Sequence, residues 1–289
     1  MQRGTRLIAG LAAGALTASL FATGMASGAT ERHDGRGRTD CAATQQRGRS
    51  MQAIVLTDDG ALACTDTRRP RSIDRIGPIR GLTGGDTALV GIDFRPATGA
   101  LVGLGDKGGI YTIDPTTAAA SNRVQLSETL SGASFGVDFN PTVDRLRVVS
   151  DTGQNLRVNV DTGLANVDLA LSGPGVAGVG YTNNDADPNT ATTLYDIDTV
   201  NDQVSIQAPP NNGNLNPVGK LGVDTNAVVG FDIFSDLDDG TTDDVTALAS
   251  LNVGGRAGLY EIDLITGRAS HRGSFGVGVV DIAIPLDRS

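Results

Sequence analysis

Beyond about Met51 the chain runs in short strand-like segments, in which apolar residues alternate with polar ones, separated by tight turns rich in Gly, Asn, Asp and Pro. These segments repeat. "GIDFRPATGALVGLGDKGGIYTIDPTT", from Gly91, aligns without a gap on "GVDFNPTVDRLRVVSDTGQNLRVNVDT", from Gly136, at an offset of 45 residues. A third unit begins at Val176 with "VAGVGYTNN" and continues through "TTLYDIDT", "QVSIQA" and "NPVGKLG". A fourth begins at Val228 with "VVGFDIFSD" and continues through "VTALASLNV", "GLYEIDLITG" and "RASHRGSFG". Each unit reads as four strands.

The two ends complete the series. "QAIVLTDDG", "ALACTDT" and "SIDRIGPIRG" resemble the second to fourth strands of a unit that lacks its first, while "VGVVDIAIP" at Val277 is a first strand with nothing after it. Four-stranded units of this length match propeller blades, which bury their faces against one another. A blade shared by both termini leaves no first or last blade open to water. The expectation is all-β: a five-bladed β-propeller over residues 51–289, closed by N- and C-terminal strands. A β-sandwich or another all-β solenoid is the competing architecture.

Composition agrees with many short strands: 39 of the 289 residues are glycine, and Val, Ile and Thr are frequent. Residues 1–29 begin with Arg3 and Arg6, continue as an apolar run and end in small residues. That is the pattern of a secretory signal peptide cut near Ala26 or Ala29, with an uncleaved anchor as the alternative. Residues 30–50 have almost no apolar content and read as a flexible leader. Signal removal leaves 21 basic residues against 33 acids, a net charge of −12, which argues against nucleic acid as a partner. No other stretch could span a bilayer, so a secreted or cell-envelope exterior location and an extracellular ligand or protein partner follow. Cys41 and Cys64 are the only cysteines. An oxidising compartment favours their pairing as a disulfide; two unpaired thiols are the alternative.

Comparison between blades separates residues the fold demands from residues that need another reason. Asp93, Asp138, Asp232 and Asp281 align in four first strands, with Gly180 in the third unit. In a propeller these carboxylates lie near the axis. There they either accept backbone N–H groups of an adjoining blade or, as a ring of oxygen ligands, hold a cation such as calcium. Phe94 and Phe139, each followed two residues later by Pro, are packing and turn positions. The arginines are peculiar to one blade: Arg145, Arg147 and Arg157 replace Ala100, Val102 and Thr112, and Asn155 replaces Ile110. A three-residue loop Asp151-Thr152-Gly153 would set Arg147 opposite Arg157 and Val149 opposite Asn155, on one face. Opposed arginines require a negative charge between or beside them. Either carboxylates such as Asp138 and Asp144 supply it, or an anionic or sugar-like ligand does, which makes Arg145, Arg147, Asn155 and Arg157 a candidate ligand site.

Other motifs carry less. "GASFG" around Ser134 and "GLGDKG" from Gly103 each lead into a strand, so neither forms a nucleophile elbow or a phosphate-binding turn. "DADPN" spaces Asp185 and Asp187 for cation ligation, but Thr190 stands where an EF-hand loop needs Gly. Asp138, Asp232, Asp185 and Asp187 are the candidate metal ligands. With His33 in the leader and His271 in an outer strand as the only histidines, a zinc site or a histidine triad is nearly excluded. Catalysis would have to use carboxylates, as glycosidases do.

"GIDFRPATGALVGLGDKGGIYTIDP" and "FGVDFNPTVDRLRVVSDTGQNLRVNVDTG" resemble the signature of the bacterial domain-of-unknown-function family numbered 4394. The resemblance implies a propeller-like repeat domain of exported proteins and no assigned activity. Two functions stand side by side. The first is a secreted, non-catalytic propeller that binds a ligand or protein at one end of its channel or through its acidic loops. The second is a calcium-dependent propeller enzyme, a glycoside-acting or lactonase-like hydrolase, using Asp138 or Asp232.

Overall fold

A computed structural model describes residues 51–287 apart from 186 and 188. The segments read as signal peptide and leader, with Cys41 and His33, lie outside the described residues. The chain enters through β1 (Gln52–Thr57), β2 (Ala61–Asp66) and β3 (Ile73–Pro78). The first complete meander is β4 (Leu89–Phe94), β5 (Leu101–Gly105), β6 (Gly109–Ile113) and β7 (Ala120–Gln125). The second is β8 (Phe135–Asn140), β9 (Arg145–Ser150), β10 (Asn155–Val158) and β11 (Ala165–Val167). The third is β12 (Val176–Tyr181), β13 (Leu194–Asp198), β14 (Gln203–Gln207) and β15 (Leu215–Lys220), with a 3-10 turn at Pro210–Asn212. The fourth is β16 (Thr225–Asp238), β17 (Thr241–Val253), β18 (Arg256–Ile262) and β19 (Ala269–Ser274), and β20 (Val279–Ala283) follows.

These strands form five antiparallel four-stranded sheets, and β20 pairs with β1 to complete the sheet that begins the chain. The inner strands neighbour one another in the order β4, β8, β12, β16, β20 and back to β4, closing the ring. A five-bladed propeller results, as the repeat predicts, and the sandwich is ruled out.

Strand burial follows position in the blade. Every residue of the inner strand β12 is buried, while the outer strands β7 and β15 contain only half-buried and exposed residues. Apolar side chains from facing sheets fill the gaps between blades, for example Val102, Leu104 and Ile110 against Val137, Phe139 and Val148. The gap between the second and third blades is different. Its buried apolar cluster is Val149, Leu171, Val176, Val179, Tyr181 and Leu194, with Leu215 packed against it, and Arg147, Asn155, Asp196, Ser205 and Gln207 are buried as well.

Candidate functional site: the channel axis and the arginine face

The axial aspartates are clasps between successive inner strands. Phe139 N–H donates to Asp93 Oδ2 at 2.7 Å, Tyr181 N–H to Asp138 Oδ1 at 3.0 Å, and Ile284 N–H to Asp232 Oδ2 at 2.6 Å. In each case the donor lies one residue beyond the equivalent position of the next blade. By the same rule Asp281, which accepts from Ile92 N–H at 2.8 Å, is level with Gly91 rather than with Asp93. The sequence alignment therefore misplaces Asp281 by two residues: Ala283 occupies the level of Asp93, Asp138, Gly180 and Asp232. A two-residue shift keeps the side chain on the same face, so alternation alone could not reveal it. At the junction of β12 and β16 a carboxylate clasp is missing; a Cβ on Gly180 would come within 2.9 Å of Ile233. Asn184 ties this junction instead, donating to Ser235 Oγ and to the Ile233 carbonyl.

Three of the carboxylates converge: Asp93, Asp138 and Asp232 each offer an oxygen within 4.8 Å of the others, and all three are buried. Burial, reinforced by the neighbouring Asp232 charge, pushes the Asp93 carboxyl well above its usual range. Burial and the Asp93 charge do the same to Asp138, and burial lifts Asp232 to about 6. Burial also raises Asp281. Oxygens bound to one calcium at 2.3–2.6 Å lie no more than about 5 Å apart, so the spacing fits such an ion if the acids are ionised. Of the ring of four aspartates that the repeat marks, Asp93, Asp138 and Asp232 make up the convergent set, and Asp281 is outside it.

Asp185 and Asp187 lie outside this cluster and are joined to each other, Asp187 N–H donating to Asp185 Oδ1 at 2.9 Å. Asp185 accepts from the backbone and hydroxyl of Thr242, near the tip of the long β16–β17 hairpin. Asp187 accepts from the backbone and side chain of Asn189.

Above the aspartates the first strands open into a shallow concavity of about 210 Å3, lined mostly by apolar side chains: Leu89 and Val90 from β4, Phe135 from β8, Ala177 from β12, Val228 and Val229 from β16 and Val280 from β20, with Ala133, Ser134 and Ala227 beside them. It is a place to which all five blades contribute. Ser134 sits on this rim immediately before β8 rather than between a strand and a helix.

The arginine face has the expected register, with Arg147 opposite Arg157 and Val149 opposite Asn155, across a turn in which Gly153 has φ +91°. The counter-charge differs from the expected one. Asp168, just past β11, lies 2.8 Å from Arg147 Nη1 and 2.7 Å from Arg157 Nε. Burial pushes the Asp168 carboxyl up, but hydrogen bonds from Arg157 and Arg147 outweigh it and hold it below its usual value. Arg147 also donates to Tyr181, Asn155 and Asn211, so it joins the second blade to the third. Asp138 is turned to Tyr181 N–H, and Asp144 pairs with Arg95 at 2.5 Å. Arg145 stays local, donating to the carbonyls of Val143 and Asp144. Asp168 stands outside the aligned strands, which is why blade comparison did not select it.

Cys64 is buried in β2, and its expected partner Cys41 is outside the described residues. His271 lies in β19 with its ring 5.0 Å from that of Tyr260, away from the axis.

The family described as Domain of unknown function (DUF4394) matches residues 61–283. The chain belongs to this family. No curated protein matches it. Among solved structures, a protein of unknown function from Bacteroides thetaiotaomicron aligns at 14% identity over 85% of this chain and 69% of its own, with a TM-score of 0.47. An auxiliary nutrient binding protein from the same organism aligns at 10% identity over 80% and 63%, TM-score 0.43. Kuenenia stuttgartiensis hydrazine synthase aligns at 14% identity over 67% of this chain, TM-score 0.39, and this chain spans about half, 53%, of its length. Likenesses at this level carry no functional argument.

Proposed function

We propose that this chain is an exported, non-catalytic propeller that binds a protein partner at the mouth of its channel. The observation that carries the reading is the concavity shared by all five inner strands: its lining is mostly apolar, and Val228 on its rim is 39% exposed. At about 210 Å3 it is smaller than the ~300–1,000 Å3 of small-molecule sites, so it suits one apolar or aromatic side chain of a partner, an anchor of the kind that dominates interfaces. Export rests on the signal-like pattern of residues 1–29. Oxidation of Cys64 with Cys41 belongs to the same reading.

Indole serves as a side-chain-sized probe. Titration followed by methyl NMR should give saturable shifts confined to Val90, Val228, Val229 and Val280, and Val228→Lys should abolish them. Shifts absent at these valines, or unchanged by Val228→Lys, sink the mouth as a binding site.

The alternative, a calcium-dependent hydrolase, is favoured by one observation, the convergence of Asp93, Asp138 and Asp232 within 4.8 Å. Elemental analysis of the purified protein decides it. One equivalent of calcium, lost together with thermal stability in chelator, supports an axial cation; metal-free protein indifferent to chelator eliminates it.

A further inference from the structure

The blade comparison that separates scaffold from exception marks a second place. Ile92 pairs with Gly103 and Gly103 with Tyr111; Val137 pairs with Val148 and Val148 with Leu156; Phe231 pairs with Ala249 and Ala249 with Tyr260. In the third blade the same two positions are Asp196 and Ser205. An acid and a small hydroxyl thus replace a small or apolar residue and a large one. Gln207 is two residues along the same strand and on the same face.

All three side chains are fully buried. Both carboxylate oxygens of Asp196, Ser205 Oγ and Gln207 Oε1 lack hydrogen-bond partners among the described residues. A native interior rarely leaves such groups unmatched, because each costs about 1–3 kcal/mol and a charge more. The Ser205 hydroxyl bonds to neither of the other two, and a single proton satisfies two oxygens at most. Something between them must match the rest.

Charge identifies its class. Burial pushes the Asp196 carboxyl well above its usual range, and Arg147, though near enough to oppose this, directs its hydrogen bonds to Tyr181, Asn155, Asp168 and Asn211, so an ionised Asp196 needs a cation of its own. Gln207 Nε2 faces the same network through Asn155 Oδ1. Asp198, the next acid on the strand face, is satisfied by the N–H groups of Val200 and Asn201 and by two side-chain amides. With Asp196 ionised, Arg147 and Arg157 against Asp168, Asp196 and Asp198 leave one negative charge. A monovalent ion cancels it, whereas a divalent one overshoots.

We propose that Asp196, Ser205 and Gln207 form a buried monovalent-cation site of sodium size between the second and third blades. Carboxylate, hydroxyl and amide oxygens are the hard ligands such an ion takes, and the site locks two blades where their apolar contact is thinnest.

Thermal unfolding of the full chain in chelator, in sodium, potassium or choline chloride at equal ionic strength, tests the site. Sodium should raise Tm saturably over choline, by about 3–6 °C at ten times the dissociation constant, and potassium should do so less. Asp196→Asn should fold and lose the sodium effect. Should it fail to fold, Ser205→Ala should weaken the effect, and sodium NMR relaxation should show a saturable bound fraction that Ser205→Ala reduces. Equal Tm in sodium and choline, a sodium effect that survives Asp196→Asn or Ser205→Ala unchanged, or no bound fraction in sodium relaxation overturns the proposal.

Discussion

Asp168 is the most informative residue to remove. Its carboxylate, 6% exposed, lies between Arg147, 1% exposed, and Arg157, 33% exposed. Replacing it with Asn strands the Arg147 guanidinium in the interior without its counter-charge, and breaking one side of a buried pair costs about 3–5 kcal/mol. The Arg157 half contributes less than about 1 kcal/mol because solvent screens it. For a domain of this size the loss is a fall in Tm of about 6–20 °C. Arg157→Thr, which installs the residue found one blade earlier, should cost less than about 1 kcal/mol. The double variant Arg147→Met/Asp168→Asn should recover part of the Asp168→Asn loss, since no buried charge is then unmatched. Urea denaturation with constant m-values measures all three. An Asp168→Asn cost below about 1 kcal/mol, or a double variant that loses more than the two singles together, would refute the ion-pair reading of the arginine face. Restoration of Asp168→Asn by added phosphate would instead indicate an anion site there.

Three further outcomes follow from the axis and the turns. Asp93, Asp138 and Asp281 are raised well above 3.8 and Asp232 to about 6, so in chelator the native state holds more protons than the unfolded chain above pH ~4. Tm should then fall as pH rises through 6, whereas Asp168, lowered, matters only below ~4; saturating calcium should remove the fall if an axial cation binds. A Tm flat from pH 4 to 7, or a slope unaffected by Asp232→Asn, contradicts this. Asp232→Ala unclasps Ile284 N–H and should cost about 1–3 kcal/mol, with faster hydrogen exchange first in β20 and β1; exchange accelerated evenly over all blades would show that the clasp does not govern closure. Gly163→Ala puts a Cβ 1.9 Å from the Gln125 carbonyl oxygen at φ +74° and should cost about 2–4 kcal/mol, against about 1–2 for Gly222→Ala, which has the same φ sign and open space. Equal costs measured by urea denaturation would mean that the close approach relaxes freely.

Much of the fold is visible in one dimension because a propeller repeats. The 45-residue offset, the incomplete first unit and the orphan strand at Val277 specify five blades and their closure, and the pairing of Arg147 with Arg157 follows from one turn. The axis was only partly legible. The recurrence of Asp93, Asp138 and Asp232 marked a scaffold role, but the two-residue displacement of Asp281 depends on how β20 docks between β16 and β4. Asp168 and Asp196 escaped for different reasons. Asp168 lies outside the repeat, and Asp196 sits in "YDID" where an acid on a strand reads as a solvated residue until the neighbouring blade is seen to cover it.

The sequence by itself determined the local periodicity, the number of units and the residues that differ from blade to blade, since these depend on strand alternation and near-neighbour turns. Only the tertiary structure decided which carboxylates converge, which charges neutralise the arginines and which oxygens are left without partners. Those depend on contacts between blades, where residues more than 40 positions apart are brought within hydrogen-bond distance, as Phe139 is to Asp93, and where burial rather than spacing sets the cost of a charge.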